Sequence, residues 1–360
     1  MSLETYIFDE DAGAWDRLLE SLPARQQDVY FTSAYHLLWQ RNGDGRALGV
    51  VFDDGGSRVL YPFLLRDLDE VPWLGADFAD FHDIQTPYGY GGPLVDRPTG
   101  AERVVDSFRS EFERWCADNH IVSEFVRFHP LLDTHLGLEK HLEVVRHNTT
   151  VWCRTDCTVG ERLQNLSGST RRGVRKAKKA GLTVQSESSD EAYARFAELY
   201  RQTMERRDAT PYYRFADDYF RDFRELLGTR QELLTVRHEG KIIAAALFMR
   251  SPQFLHYHLG ASDAEYLPLR PNNLLFFEAM QWGCSCGGAA MHLGGGYQPD
   301  DELFRFKAGF SPLRASFHIG HKVHLEEECE RATAARRAAG PLTDEAFFPP
   351  YRAPLPPASP

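Results

Sequence analysis

Twice along its 360 residues the chain runs through the same order of helical and strand signals. A repeated mixed order leaves few architectures open. In the first half, Trp15, Leu18, Leu19 and Leu22 mark an amphipathic helix, and a second starts with Thr32 or Ser33 as its cap and carries Leu37, Leu38 and Trp39. Residues 48–52 and 58–65 read as strands joined through Asp53-Asp54-Gly55-Gly56, a hairpin signal, and a helix over 104–115 and a strand over 122–128 follow. In the second half, 191–206 places Ala192, Phe196, Leu199 and Thr203 on one helical face. Strands over 233–237 and 242–249 then flank the turn His238-Glu239-Gly240-Lys241, with a third over 254–259. Residues 274–282 are apolar nearly all round, as a buried helix requires, and Met291-His292-Leu293 is a short strand ending in Gly294-Gly295-Gly296 before a helix over 301–308.

Helices alternating with strands in this way predict an α/β (α+β) chain with mixed sheets, and the length calls for two cores rather than one. The expected boundaries are 1–150 for the first domain and 151–325 for the second. A helix over 326–340 follows, with Glu326, Glu327 and Glu328 at its start and Arg336 and Arg337 at its end, matching the helix dipole. Residues 341–360 hold seven prolines and are expected to be extended or disordered.

Against a net charge of −11, residues 171–179 (Arg-Arg-Gly-Val-Arg-Lys-Ala-Lys-Lys) carry six cations and no acid. At about 100° per residue the cations fall in one sector of roughly 160°, and Gly173, Val174, Ala177 and Ala180 take the opposite side. The segment therefore reads as a helix with a cationic face and a small-residue face, capped by Ser169 or Thr170 and closed by a left-handed Gly181. Such a face is either simply solvated or meets an external polyanion such as RNA, pyrophosphate or a nucleotide. The overall acidity excludes a general nucleic-acid binder, so any RNA contact is local, to an acceptor end rather than a duplex.

A hydrophobic content of 42% with 26% charged residues describes a globular protein. No run reaches the roughly 18 apolar residues of a membrane span, and residues 1–11 lack the order of a signal peptide, so a cytoplasmic address is expected. The six cysteines are too few for a disulfide scaffold, and neither Cys153/Cys157 nor Cys284/Cys286 has the spacing of a structural zinc site. Free thiols and no metal are expected.

Residues 171–181, Thr203-Met204-Glu205-Arg206, Leu293-Gly294-Gly295-Gly296 and Phe306-Lys307-Ala308-Gly309-Phe310 together resemble the FemABX-like family. Pro87-Tyr88-Gly89-Tyr90-Gly91-Gly92-Pro93 resembles its broader BcsL/CelD-type acetyltransferase branch. The resemblance runs in order over most of 28–325. It implies two tandem GNAT-like domains of the acyl-CoA N-acyltransferase fold, the first for an acceptor amine and the second for an activated acyl donor. It also implies transfer of an amino acid from aminoacyl-tRNA to an amine acceptor, either a small molecule or muropeptide-like, with no cofactor beyond that co-substrate. The chain lacks the inserted coiled-coil arm of the cell-wall enzymes, which points to a smaller or different acceptor, such as a natural-product precursor.

Acyl-CoA users of this fold hold pyrophosphate on a Gly-rich turn before the helix that follows the central strand. Here that turn, 265–273, contains no glycine, and Pro271 removes a donor, which favours a carrier other than CoA. Lys307 matches the family lysine placed at the transferring carbonyl, where an ammonium stabilises the oxyanion; the competing reading is a lysine stem covering an apolar helix. By the same resemblance Arg206, with Arg207 a near-equal choice, reaches substrate phosphate, and Tyr257 lines the acceptor pocket. Arg171, Arg172 and Arg175 are candidates for the donor's phosphates. Tyr88 and Tyr90, with Arg127 and His129, are candidates for the acceptor site. Asp300, His258 and Glu278 are conceivable bases, each with a structural alternative: helix cap, strand packing and satisfied buried acid. Two rival functions stand beside this one: an acyl-CoA-dependent N-acyltransferase, and a non-catalytic binder of an anionic glycan or nucleotide.

Overall fold

The computed structural model describes residues 2–96, 101–285 and 287–356, so Cys286 and the last four residues of the Pro-rich tail lie outside it. The first part of the chain forms β1 (Ser2–Ile7), α1 (Phe8–Glu20), α2 (Ser33–Arg41), β2 (Arg46–Asp53), β3 (Arg58–Asp67), β4 (His82–Gln85), β5 (Leu94–Val95), α3 (Ala101–Asp118), β6 (Ile121–Arg127) and β7 (Glu143–Arg154). Then come α4 (Val159–Asn165), α5 (Gly168–Lys179), β8 (Thr183–Glu187), α6 (Asp190–Arg206), α7 (Asp217–Leu227), β9 (Gln231–His238), β10 (Lys241–Arg250), β11 (Phe254–Ser262) and α8 (Pro271–Ser285). The last elements are β12 (Ala290–Gly294), α9 (Glu302–Ala308), β13 (Arg314–Val323) and α10 (Glu326–Ala339).

Two compact units result. Unit 1 comprises Met1–Gln26, Tyr30–His147 and Phe317–Pro360, and unit 2 comprises Gln27–Val29 and Asn148–Ser316. In unit 1 the strands follow the order β1-β2-β3-β4-β6-β13, with β5 on β3; all neighbours are antiparallel except β4 and β6. In unit 2 the order is β7-β12-β11-β10-β9-β8, and β11 with β12 is the parallel pair. Each parallel pair is bridged by one helix, α3 in unit 1 and α8 in unit 2, because parallel strands need a crossover. The repeated order read from the sequence is this repeated topology. The expected second domain ended at 325, but β13 from Phe317 onward pairs with β6, so this stretch and α10 belong to unit 1.

The unit 1 core packs α3 on the sheet. Phe108, Phe112 and Trp115 stack in sequence, with centroids 5.4 and 5.5 Å apart, over Tyr61 and Phe63. Arg109, on the same helix, is buried and forms a two-pronged pair with buried Glu124 (2.9 and 2.8 Å), which also accepts from Tyr61 Oη at 2.9 Å. In unit 2, α8 is enclosed as its composition requires: Leu274, Leu275, Phe276, Phe277, Ala279 and Met280 are all buried.

Two local expectations are corrected. The tail is packed as far as it is described: Tyr351 is fully buried, its hydroxyl 2.7 Å from Ser123 Oγ and donating to Asp83 at 3.0 Å, and Arg352 bonds Asp83 at 2.6 Å. Proline content signals extended backbone, but here that backbone has a buried aromatic to pin it. Arg336 lies in the last turn of α10, as the charge order predicts, and is enclosed there. It is buried over the Trp73 ring at 4.8 Å and donates to the carbonyls of Ala353 (2.6 Å), Gly340 (2.8 Å) and Pro354 (2.7 Å). The basic helix is capped by Ser167, whose Oγ accepts from Thr170 N, not by Ser169 or Thr170. Gly181 does adopt the left-handed conformation, φ +77°.

Breaking the Arg109–Glu124 pair leaves a buried carboxylate with its main partner gone. Arg109→Met is expected to cost about 3–5 kcal/mol, measured by denaturant unfolding; a loss under about 1 kcal/mol, the worth of an exposed pair, would show the pair to be dispensable.

Candidate functional site

The parallel ladder of unit 2 is short. Phe254, Leu255 and His256 pair with Ala290, Met291 and His292, after which β11 runs on for six residues without β12 beside it. Three glycines turn the chain away, each for its own reason. Gly294 has φ +72°, a Cβ on Gly295 would stand 2.9 Å from the Thr149 carbonyl, and one on Gly296 would collide with Asp301. Asp301, not Asp300, caps α9. One of its oxygens accepts from Phe304 N, and the other from Tyr297 N and Gln298 N, so a single carboxylate shapes the whole 296–304 turn. Burial raises the Asp301 pKa, but these backbone N–H groups outweigh it and hold the carboxyl below its usual range.

Lys307 stands where the strands separate. Its side chain is 5% exposed, and its Nζ donates to the Gly295 carbonyl at 2.7 Å and lies 5.4 Å from the centre of the Tyr257 ring. Burial pushes the amine down to about 7 despite the opposing pull of Asp301. Tyr257, the first β11 residue past the pairing, packs on Phe276 at 4.8 Å, and burial raises its phenol. Around Lys307, Phe306 and Phe310 close an aromatic triangle with Phe276, with centroids 5.2 to 5.4 Å apart. Gly309 lies so close to Thr170 that a Cβ would clash, and its carbonyl accepts from Ser167 N at 2.8 Å. The lysine motif and the start of the basic helix are thus locked together. Gly173 plays the same part on α8, where a Cβ would stand 2.7 Å from Asn273.

The basic helix divides its charges. Thr170, Gly173, Val174 and Ala177 are buried, as its small-residue face predicts. Arg171 donates to the carbonyls of Leu166 (3.0 Å) and Gln164 (3.3 Å), and Lys178 pairs with Glu278 at 2.8 Å over the Phe277 ring. Arg172, Arg175, Lys176 and Lys179 are exposed. Arg171 is therefore a structural group, and the outward charge is carried by the other four.

At the far end of β11, Arg206 donates to the Ser262 carbonyl at 3.2 Å, which Thr203 Oγ1 also reaches at 3.3 Å. Burial raises the phenols of Tyr257 and Tyr297, and the charge of Arg207 opposes that rise. In the 265–273 turn, Arg270 supplies the left-handed residue (φ +64°) before Pro271, with no glycine. Each of the three conceivable bases is engaged structurally. Asp300 is a left-handed turn residue, and Glu278 is paired with Lys178. His258 lies 2.6 Å from Tyr219 Oη and stacks on Phe223, and burial, with His256, lowers it to about 3.

In unit 1, Tyr88 and Tyr90 do not line up. Tyr88 faces Trp39 (5.5 Å), whereas Tyr90 meets Tyr30, His129 and Phe317 edge-on at 5.2 to 5.9 Å. The glycines between them serve packing: a Cβ on Gly89 would press on Tyr30 and one on Gly92 on Thr134. Arg127 lies over Phe125 at 5.0 Å. His129 is fully buried, and its Nδ1 accepts from Leu131 N (3.3 Å) and Leu132 N (3.2 Å), which makes it a loop-organising residue.

Sequence reading missed a buried pair in unit 2, His256 Nε2 and Asp28 Oδ2 at 2.7 Å, with Ser251 Oγ donating to the same oxygen at 3.0 Å. It also missed the grouping of Tyr200, Tyr213 and Tyr297. Only proximity in space reveals either group. Cys116, Cys153, Cys157, Cys284 and Cys329 are free thiols. Among the described residues no helix is long and apolar enough to cross a membrane.

The depressed Lys307 pKa has a stability consequence. The unfolded amine binds its proton below about 10.5 and the folded one only below about 7, so between these values the unfolded state holds more protons and stability rises with pH. Lys307→Met lacks this slope. Denaturant melts at pH 7, 8, 9 and 10 should show its stability relative to wild type falling steadily as pH rises; parallel profiles would mean the amine is not desolvated.

The family described as "Acetyltransferase (GNAT) domain" matches residues 164–307, all within unit 2 and ending on Lys307. No curated protein sequence matches the chain. Among solved structures, FemX shares 15% identity over 92% of this chain and 99% of its own, with a TM-score of 0.69. The C-terminal domain of a putative lysylphosphatidylglycerol synthetase from Agrobacterium fabrum shares 15% over 92% and 97%, with a TM-score of 0.53. L-PGS from Bacillus licheniformis shares 16% over 81% and 86%, with a TM-score of 0.52. The chain has the FemX fold, two GNAT-like units in tandem, and the GNAT domain proper lies in the second.

Proposed function

We propose that this protein is an acyltransferase that moves an amino acid from aminoacyl-tRNA to an amine, with the donor site at the strand separation of unit 2. The observation that carries the proposal is Lys307: a buried amine beside an opened sheet, held by one backbone carbonyl and one aromatic face. Aminolysis of an ester needs a neutral amine, a donor for the oxyanion and a proton route to the departing hydroxyl. The Lys307 ammonium supplies the donor, in a desolvated setting where charge stabilisation is strongest. Arg207 takes the phosphate-reaching role in place of Arg206, whose guanidinium is engaged by Ser262. The acceptor amine is assigned to unit 1 near Tyr90 and Arg127. The FemX-like fold and the GNAT match support acyl transfer; the glycine-free turn before α8 supports a donor other than CoA.

Lys307→Met is expected to lower turnover by about 2–4 kcal/mol of transition-state stabilisation while donor affinity changes little, because the charge it meets develops only during reaction. Single-turnover kinetics with charged tRNA would test this, and near-normal turnover would sink the role. Since the protonated amine is the active form, wild-type turnover should also decline as pH rises through about 7, a limb absent from the variant.

Phosphate binding by the basic helix has a separate signature. Arg172→Gln with Arg175→Gln should reduce the slope of log affinity against log salt by roughly 0.7–0.9 for each phosphate no longer neutralised. An unchanged slope returns the helix to a solvated surface. Steady turnover with acetyl-CoA on an amine, with free thiol released, would favour the CoA-dependent reading.

A further inference from the structure

Unit 2 carries a row of tyrosines that the transfer chemistry does not use. Tyr213 meets Tyr212 edge-on at 5.4 Å and Tyr297 at 5.9 Å, both close to perpendicular, so three rings run in series. The row joins separate segments: Tyr212 and Tyr213 lie in the turn after α6, and Tyr297 in the turn after β12. Both turns are built to hold them. The Tyr200 hydroxyl donates to the Tyr213 carbonyl at 3.0 Å, Arg214 Nε donates to the Ala209 carbonyl at 3.3 Å, and Asp301 accepts from Tyr297 N at 2.7 Å. Yet the two outer rings are 45% and 57% exposed. Large aromatic side chains exposed to this degree on hydrogen-bonded turns leave apolar faces in water, which points to an external flat partner.

Two observations define that partner. Asp301 accepts from Tyr297 N at 2.7 Å and caps α9, the helix that carries Lys307, so the row borders the lysine centre, whose cation suits an anion. The same unit exposes Arg172, Arg175, Lys176 and Lys179 on a helix whose start is locked to the lysine motif. Aromatic faces combined with backbone-neutralising cations are the means of holding single-stranded nucleic acid, in which each base offers a face and each phosphate a charge.

We infer that Tyr212 and Tyr297, spaced by Tyr213, form a stacking platform for unpaired bases at the 3′ end of the donor RNA. The inference rests on the aminoacyl-tRNA reading above and adds to it the residues that grip the carrier independently of the amino acid.

The test uses the full chain and a short single-stranded oligoribonucleotide carrying 2-aminopurine at its 3′ end, with CoA as competitor. Stacking quenches the 2-aminopurine emission. Wild type should quench it, and Tyr212→Ala or Tyr297→Ala should lose the quench and weaken binding about 5- to 100-fold. Tyr297→Trp should restore both, and the salt slope should stay as in wild type, since no cation is removed. Both positions are exposed, and unchanged melting curves would establish that the variants fold. RNA binding that is identical in wild type and the alanine variants overturns the platform but leaves the donor reading intact. No RNA binding by wild type overturns both. Displacement of the RNA by CoA at comparable concentration would show that the rings stack on a CoA adenine, overturning the RNA assignment.

Discussion

The parallel pairing of β11 with β12 lasts three residues, and the chemistry-bearing groups of unit 2 are arranged around its end. Continued pairing would satisfy the Gly295 carbonyl within a ladder. Because the chain turns at Gly294 instead, that carbonyl is left to a side chain, and Lys307 takes it. A buried carbonyl must find a donor, so the lysine is held in place by the same break that opens the sheet. The three glycines are what permit the break, through one positive φ and two approaches too close for a Cβ.

The two units treat buried charge differently. In unit 1, Glu124 is matched by Arg109 and Asp83 by Arg66 and Arg352; although burial works against both carboxylates, the guanidiniums beside them hold both below their usual range. Paired charges of this kind serve structure, since removing one partner is costly. Among the described residues Lys307 has no carboxylate at such distance, and it accepts a lowered pKa in place of a partner. A cation kept without its counter-ion is available to a charge that forms during a reaction.

Small residues tie the features of unit 2 into one object. Gly173 lets α5 approach α8, and Gly309 lets the end of α9 approach the start of α5. The cationic helix and the lysine motif, more than a hundred residues apart in the chain, are therefore neighbours, and neither can shift alone. Asp301 does similar work in the turn that carries Tyr297, by accepting from three backbone N–H groups.

Much of this was legible in the chain itself. Periodicity placed the elements twice in the same order, because helical and strand repeats depend on nearest neighbours along the sequence. The basic helix showed its two faces for the same reason, and the glycine-rich and Phe-Lys-Ala-Gly-Phe motifs marked the candidate site. What needed tertiary structure was every choice between chemically equivalent residues. Asp301 rather than Asp300 caps α9, Arg206 turns to the Ser262 carbonyl, Arg171 turns to backbone carbonyls while its neighbours stay exposed, and Tyr88 and Tyr90 part company. The tail was misread because proline content reports backbone stiffness and not whether a Tyr351 will find a buried Asp83. Local sequence determines which conformations a segment favours; which polar group is used depends on partners brought close by folding, and at hydrogen-bond range a displacement of about 1 Å is enough to change the partner.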